Sequence, residues 1–434
     1  MIVYSHTLSP RLQYIIHFLS LYFQHPFKLT ANEQAFATSK DFKINYSYQR
    51  IDDHEIYINP HALLIESEKR NMQIRYFQHN GYTAFFETSG DIHFDLFAAV
   101  FFLLSRYEEY LPHVKDQYGR YAHQNSVAYE AGFLQIPLIN IWLEDFKRLL
   151  QIKFRGINFS ANKFSFLPTY DIDIAWSYKH RGFKTRTANV LFSLLKGNIK
   201  TAVARLRTVR GKSNDPFDAY EWMDALHQRF DLHPLYFFLV AEIKGKYDKN
   251  TNIHNPEFQQ LIKTIASKYQ TGIHPSWFSG DNPALIEKEK QWLENISKKK
   301  ITSSRQHFLR FSLPYTFQQL SKIGVKHEYS MGYGTINGFR ASIASSFYWY
   351  DLEKEQTTNL LIHPFCFMDA NSFYEQKFSP QQALEELLQY HDSIKSINGR
   401  MITLWHNNFL GDAEEFAGWR EVYEKFIETV AVEQ

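Results

Sequence analysis

The stretch Phe164–Asp173, FSFLPTYDID, decides how the chain is read. Its apolar start suits a short buried strand, and its end sets Asp171 and Asp173 two positions apart. While the chain stays extended, both carboxylates leave the same face. Two carboxylates so close raise each other's pKa unless a cation separates them, so a divalent metal is one reading. An Asx turn capping a following helix is the other. Toward the C terminus, short apolar runs alternate with helical ones. The pattern predicts strands over 165–170, 235–240, 271–274, 301–308, 325–329, 359–362 and 400–406. It predicts helices over 219–230, 256–269, 283–298, 315–323, 380–396 and 416–430. Such alternation implies parallel strands with crossovers, hence an α/β layer or barrel. In those folds chemistry gathers at the carboxyl ends of strands.

Upstream the rhythm differs. A helix is predicted over 10–23, alternating runs follow at 55–58 and 73–77, and 95–110 (DLFAAVFFLLSRYEEY) reads as a helix buried at one end. The polar run RGINFSANK at 155–163 marks a boundary. The expected organisation is an N-terminal α+β domain over 1–158 and an α/β domain over 159–434.

Composition narrows the function classes. The 434 residues carry 48 Lys+Arg against 46 Asp+Glu, and a net charge of +2 gives no footing for a nucleic-acid surface. The single cysteine, Cys366, excludes an internal disulfide framework and a Cys-rich zinc module. Aromatic residues reach 17%, a surplus that serves sugar stacking in some proteins and large cores in more. The longest apolar run, 96–104, is far shorter than the roughly 20 residues of a membrane helix. With no cleavable leader recognised, the expectation is a cytoplasmic protein. The run 196–212 (KGNIKTAVARLRTVRGK) holds six cations and no acid, which fits a solvated helix face, a peripheral contact with acidic lipid head groups, or a nucleotide-sugar pyrophosphate.

Three further polar clusters sit where predicted strands end. His274 closes one strand and leads into Pro275, Ser276 and Trp277; it reads as a metal ligand, an acid/base or a braced structural residue. Arg305 and His307 are spaced to share one strand face, the guanidinium able to hold a carboxylate and the imidazole able to complete a metal site. An exposed edge strand is the alternative. His406 ends the apolar run at 402–406 and suits a general acid, or a strand-end brace. Between the last two lies 331–340 (MGYGTINGFR), whose three glycines suggest a loop that approaches a ligand closely, with Arg340 at its exit, or a mobile loop with no chemistry. Acids and histidines gathered at one sheet end are what a metal hydrolase site would look like.

The order of these motifs resembles the polysaccharide deacetylase (NodB-type) superfamily of carbohydrate esterases, over about residues 160–434. Thr169–Asp173 is similar to its T-F-D-D motif with one residue inserted. Gly272–His274 is similar to the start of its H-x-x-x-H motif, Arg305–Phe308 to R-x-P-Y, and Leu404-Trp405-His406 to L-x-H. The run SRYEEYLP at 105–112 also resembles the leader domain of a bacterial branch of such proteins. The resemblance implies a distorted (β/α) barrel and a divalent metal, zinc foremost. It implies a base at Asp171, a metal carboxylate at Asp173, a metal imidazole at His274, a base-orienting Arg305 and an acid at His406. One departure is large: Phe278 stands where the second imidazole belongs. His307 is the expected substitute, from strand-face spacing alone.

The expected activity is removal of an N-acetyl or other acyl group from an amino sugar of a glycan or its precursor. Trp277, Tyr333, Arg340 and Trp405 are the expected substrate contacts. The alternative is a non-catalytic glycan-binding or scaffolding protein on the same fold, which the missing imidazole favours.

Overall fold

The nine residues Leu96–Leu104 (LFAAVFFLL) are apolar on every side, and a helix of that kind must be enclosed on every side. In the computed structural model, which describes residues 1–160, 162–180 and 195–431, all nine are buried. Around this helix lies a parallel sheet of four short strands, β1 (Ile2–Tyr4), β2 (Lys28–Thr30), β3 (Lys43–Tyr46) and β4 (Glu55–Ile58), in the order β2-β1-β3-β4. A hairpin of β5 (Tyr76–His79) and β6 (Tyr82–Phe85) turns at Asn80-Gly81, both with positive φ, as a two-residue loop between twisted strands requires. The helix predicted over 95–110 stops early. Arg106 takes a left-handed conformation, and Tyr107–Tyr110 forms a separate 3-10 turn. The break lets Arg106, Glu108 and Glu109 meet one another inside the protein.

The larger sheet holds nine strands: β7 (Ser165–Ile172), β8 (Leu235–Phe238), β9 (Gln270–Ile273), β10 (Ser303–Ser304), β11 (His327–Glu328), β12 (Phe347–Asp351), β13 (Gln356–Ile362), β14 (Phe367–Met368) and β15 (Arg400–His406). Their order is β12-β13-β11-β10-β9-β8-β7-β15-β14. Every neighbouring pair is parallel except the hairpin β12/β13. Helices Tyr220–Arg229, Pro256–Lys268, Pro283–Ser297, Tyr315–Lys322, Pro380–Ser396 and Trp419–Ala431 punctuate the sequence between or after the strands, as the alternation predicts.

The expected barrel is not closed. Among the described residues the two edge strands β12 and β14 do not pair with each other, so the fold is an open mixed α/β sheet. At the β12 edge the N-terminal region takes the place of a closing strand: Tyr14, on helix Pro10–Tyr22, donates its hydroxyl to the Tyr348 carbonyl at 2.8 Å. That cover protects an edge that would otherwise recruit another strand. One continuous apolar core joins residues of 1–157 to Phe317, Ile343, Trp349 and Ile362 of the larger sheet region. A second core lies between that sheet and its helices, around Tyr170, Phe238, Leu387 and Phe426.

Candidate metal centre

Parallel strands deliver their carboxyl ends to one side, and here that side carries the chemistry. Asp171 is the penultimate residue of β7 and pairs in register with His406 at the end of β15. Asp173 follows β7, His274 follows β9, and Arg305 follows β10. The strand predicted over 301–308 is only two residues long; His307 sits on a 3-10 turn, and Phe308 and Leu309 both have positive φ. Arg305 and His307 therefore reach the site from a loop instead of from one strand face. Close approach of the strands depends on Gly272, where a Cβ would meet the Phe237 ring at 2.5 Å. The same ring lies 4.5 Å from the Arg305 guanidinium.

Three imidazoles share one arrangement. His274 donates Nδ1–H to the Arg305 carbonyl at 2.6 Å, His307 to Asp248 Oδ1 at 2.9 Å, and His406 to Asp369 Oδ1 at 2.7 Å. Each acceptor is an oxygen, so each Nδ1 must carry the proton and each Nε2 is turned inward. The inward atoms converge on Asp173: His274 Nε2 lies 3.1 Å from Oδ1, His307 Nε2 3.3 Å from Oδ2 and His406 Nε2 3.6 Å from Oδ2. Beside them, Arg305 Nη1 donates to Asp171 Oδ1 at 2.9 Å, leaving Asp171 Oδ2 3.6 Å from His274 Nε2.

Charge explains the ionisation. Asp171 pairs with Arg305, while Asp173, Asp248 and Asp369 face the imidazoles. Burial disfavours the charged form of His307, yet Asp173 and Asp248 outweigh it and raise the imidazole to about 9. Burial likewise opposes charge on His406, but Asp369 and the nearby Asp173 and Asp171 raise it to about 10. Burial pushes Asp173 upward, and His307 and His274 hold it well below the usual carboxylate range. Burial also pushes Asp369 up, against His406.

The donor set fits a divalent cation. Ligand atoms of Asp173, His274 and His307 all lie within 4.8 Å of one another. Asp173 Oδ1 is buried and lacks a hydrogen bond, although His274 Nε2 is close to it. A cation seated between Asp173 Oδ1 and the inward Nε2 atoms would be held by both, and one carboxylate with two imidazoles is a common zinc set.

The centre forms the floor of a cleft of about 490 Å³, walled by Tyr118, Arg120, Phe308, Tyr374 and Phe409, with Lys249 and Glu375 among the polar groups. The four expected substrate contacts do not line it. Trp405 is wholly buried and packs on Tyr423 in the core. Tyr333 is buried, with its hydroxyl accepting from Arg106 at 3.3 Å. Arg340 is buried and paired with Glu109 at 2.6 Å. Trp277 is half-buried behind the cleft, stacked on Tyr247 at 4.0 Å with Arg310 4.5 Å over its ring. Gly334 of the 331–340 loop lines the cleft, and the close approaches seen in the loop are to protein: a Cβ on Gly334 would lie 1.9 Å from Arg120, and one on Gly332 would lie 2.2 Å from the Phe365 ring. Phe278 is 44% exposed and rests near Gly245, away from the imidazoles.

Sequence reading missed Asp248 and Asp369. Asp369 ends the apolar run Phe365–Met368, a strand-end signal of the kind used for the other residues. Asp248, in the polar stretch KGKYDKN, has no such signal.

Comparison with known proteins gives the following. Residues 1–155 match the model of a family of unknown function, DUF7033. No curated protein matches the chain. Among solved structures, a Mycobacterium smegmatis protein described as a polysaccharide deacetylase is similar at 12% identity, over 63% of this chain and 85% of that one, with a TM-score of 0.40. A polysaccharide deacetylase of Bacillus cereus is similar at 11% identity, over 62% of this chain and 89% of that one, with a TM-score of 0.29. A CE4-family pseudoenzyme of Bacillus anthracis is similar at 11% identity, over 62% and 63%, with a TM-score of 0.30.

Proposed function

We propose that the chain is a metal-dependent deacetylase-like hydrolase that removes an N-acetyl or related acyl group from an amino sugar of a glycan or its precursor. The observation that carries this reading is the convergence of three Nε2 atoms on Asp173, beside the Asp171–Arg305 pair. Asp173, His274 and His307 would hold the cation, with zinc the expected ion. Bound there, it supplies a Lewis acid for the acyl carbonyl and lowers the pKa of a water.

The chain's own residues supply the proton transfers. Asp171 takes the water's proton at Oδ2, while Arg305 occupies Oδ1 and keeps the carboxylate oriented. His406 is anchored through Nδ1 to Asp369, so its Nε2 is available to protonate the departing amine. That step matters because an amine anion is a very poor leaving group. Tyr118, Phe308 and Tyr374 are the aromatic surfaces beside the centre, and the sugar ring is assigned to them. The binder alternative rested on Phe278; His307 offers the imidazole that Phe278 lacks.

Elemental analysis of the purified protein tests the reading. The expected result is close to one divalent ion per chain, lost in His307→Ala with the fold retained. A wild-type protein with neither bound ion nor affinity for one would sink it.

No helix among the described residues is long and apolar enough to cross a membrane. Helix Ile199–Val209 nevertheless leaves Ile199, Val203 and Leu206 exposed on one face, with Leu195 before it and Lys200 and Arg207 alongside. We assign this face to peripheral contact with an anionic bilayer. Co-sedimentation with phosphatidylglycerol vesicles should fall as salt rises, and absence of binding at low salt would remove the assignment.

A further inference from the structure

The N-terminal region reaches into the cleft through one hairpin. Lys115 and Tyr121 pair across it, and Asp116 closes its tip: Oδ1 accepts from the backbone of Tyr118 at 2.9 Å and of Arg120 at 3.0 Å, while Oδ2 accepts from Arg120 Nε at 2.6 Å. Gly119 turns the chain with φ +76°. The Arg120 side chain is thus fixed from behind, and its remaining nitrogens point across to the larger sheet region. Nη1 donates to the Phe308 carbonyl at 2.7 Å and Nη2 to the Gly334 carbonyl at 3.4 Å. Phe308 follows His307 directly and holds a left-handed backbone, φ 59°, that a bulky residue adopts only under external constraint. Gly334 has no side chain where Arg120 passes. Tyr118, on the same hairpin, sets its ring 5.3 Å from that of Phe308, and both line the cleft.

We propose that hairpin 115–121 makes the N-terminal region a working part of the metal centre: Arg120 is a positioning residue that locks the His307–Leu309 turn, and Tyr118 is the outer wall of the saccharide subsite. This inference rests on the reading of Asp173, His274 and His307 as metal ligands. If Phe308 is released from Arg120, its backbone relaxes and His307 loses its aim at the cation. Groups bonded to a metal ligand typically change affinity 10–100-fold, and Arg120, acting through Phe308, should reach the lower end of that range.

The test is cobalt(II) titration of the full chain, followed by the visible ligand-field spectrum, with thermal unfolding as the control for folding. Arg120→Met should weaken cobalt affinity about tenfold or more and alter the spectrum. Arg120→Lys, which can still donate to the Phe308 carbonyl, should recover part of the loss. Gly334→Ala should reproduce the loss by displacing an intact Arg120, and serves where Arg120→Met fails to fold. Tyr118→Ala should leave cobalt affinity alone and raise KM for an N-acetylglucosamine oligomer, with kcat little changed. Wild-type affinity and spectrum in folded Arg120→Met and Gly334→Ala would overturn the positioning role while leaving the metal centre standing. A wild-type chain that binds no cobalt would overturn the metal reading and this inference together.

Discussion

Two clusters of buried charge among the described residues are built on opposite terms. At the joint between the N-terminal region and the larger sheet, Arg106 and Arg340 face Glu108 and Glu109: two cations against two anions, with Glu109 bound to Arg340 at 2.6 and 2.9 Å and to Arg106 at 2.8 Å. At the strand ends, Asp173, Asp248 and Asp369 meet three imidazoles and Asp171 meets Arg305, and Asp171 and Asp173 open on a cleft. Balanced charge closed off from solvent serves cohesion, because removing either partner strands the other. A surplus of carboxylate facing a cavity calls for a cation from outside. The contrast also explains why Arg340 and Tyr333, polar residues in a glycine-rich loop, belong to the joint and not to the substrate.

The largest expected difference comes from emptying the open cluster. Asp173→Ala and His307→Ala should each lose the bound ion by elemental analysis, and activity should fall about 10³-fold or more, since a Lewis acid supplies several kcal/mol. An active, metal-free Asp173→Ala would erase the distinction between the clusters. Asp171→Asn should keep the ion and lose roughly 10²–10⁴-fold in kcat, the usual worth of a general base.

At the joint the effect should appear in stability instead. Glu109→Gln should cost about 3–5 kcal/mol in denaturant unfolding, the range for breaking a buried pair, with metal stoichiometry unchanged in the folded protein. Burial raises the Glu109 carboxyl, but Arg340 and Arg106 overcome it and lower the group from 4.5 to about 2. A depressed acid contributes its stability above the unfolded pKa and loses it as pH falls through the folded one. Wild type should therefore lose stability progressively from about pH 4.5 toward pH 2, and Glu109→Gln should lack that part of the slope. Equal slopes in the two proteins would show that the joint does not depend on this carboxylate.

The smallest effect is expected at Trp405. As a core residue next to His406, Trp405→Phe should cost roughly 1–2 kcal/mol, less than the 3–5 kcal/mol of truncating a buried Trp to Ala, and leave KM alone. A raised KM at unchanged stability would restore it to the substrate surface.

How far the site could be read along the chain varied with sequence distance. The ends of β7, β9 and β15 carry their polar residues where an apolar run stops, so Asp171, His274 and His406 stood out locally. His307 was proposed from i, i+2 spacing on a strand; it does reach Asp173, but through a 3-10 turn whose path that spacing does not describe. Asp248 escaped because its meaning lies in a partner 59 residues away, whereas Asp369 ends an apolar run that could have pointed to it, although its partner His406 is 37 residues on. Trp405 and Tyr333 were mistaken for surface because an aromatic side chain looks the same in sequence whether it stacks on a sugar or on a core.

By itself the sequence determined the alternating strands and helices after Phe164, and with them the side of the sheet where carboxylates and imidazoles collect, since periodicity and strand termination are local properties. Tertiary structure alone decided that the sheet stays open, that the N-terminal region covers its edge and lends Arg120 to the cleft, and which oxygen fixes each imidazole. Those outcomes depend on contacts between residues far apart in the chain, which no local pattern encodes.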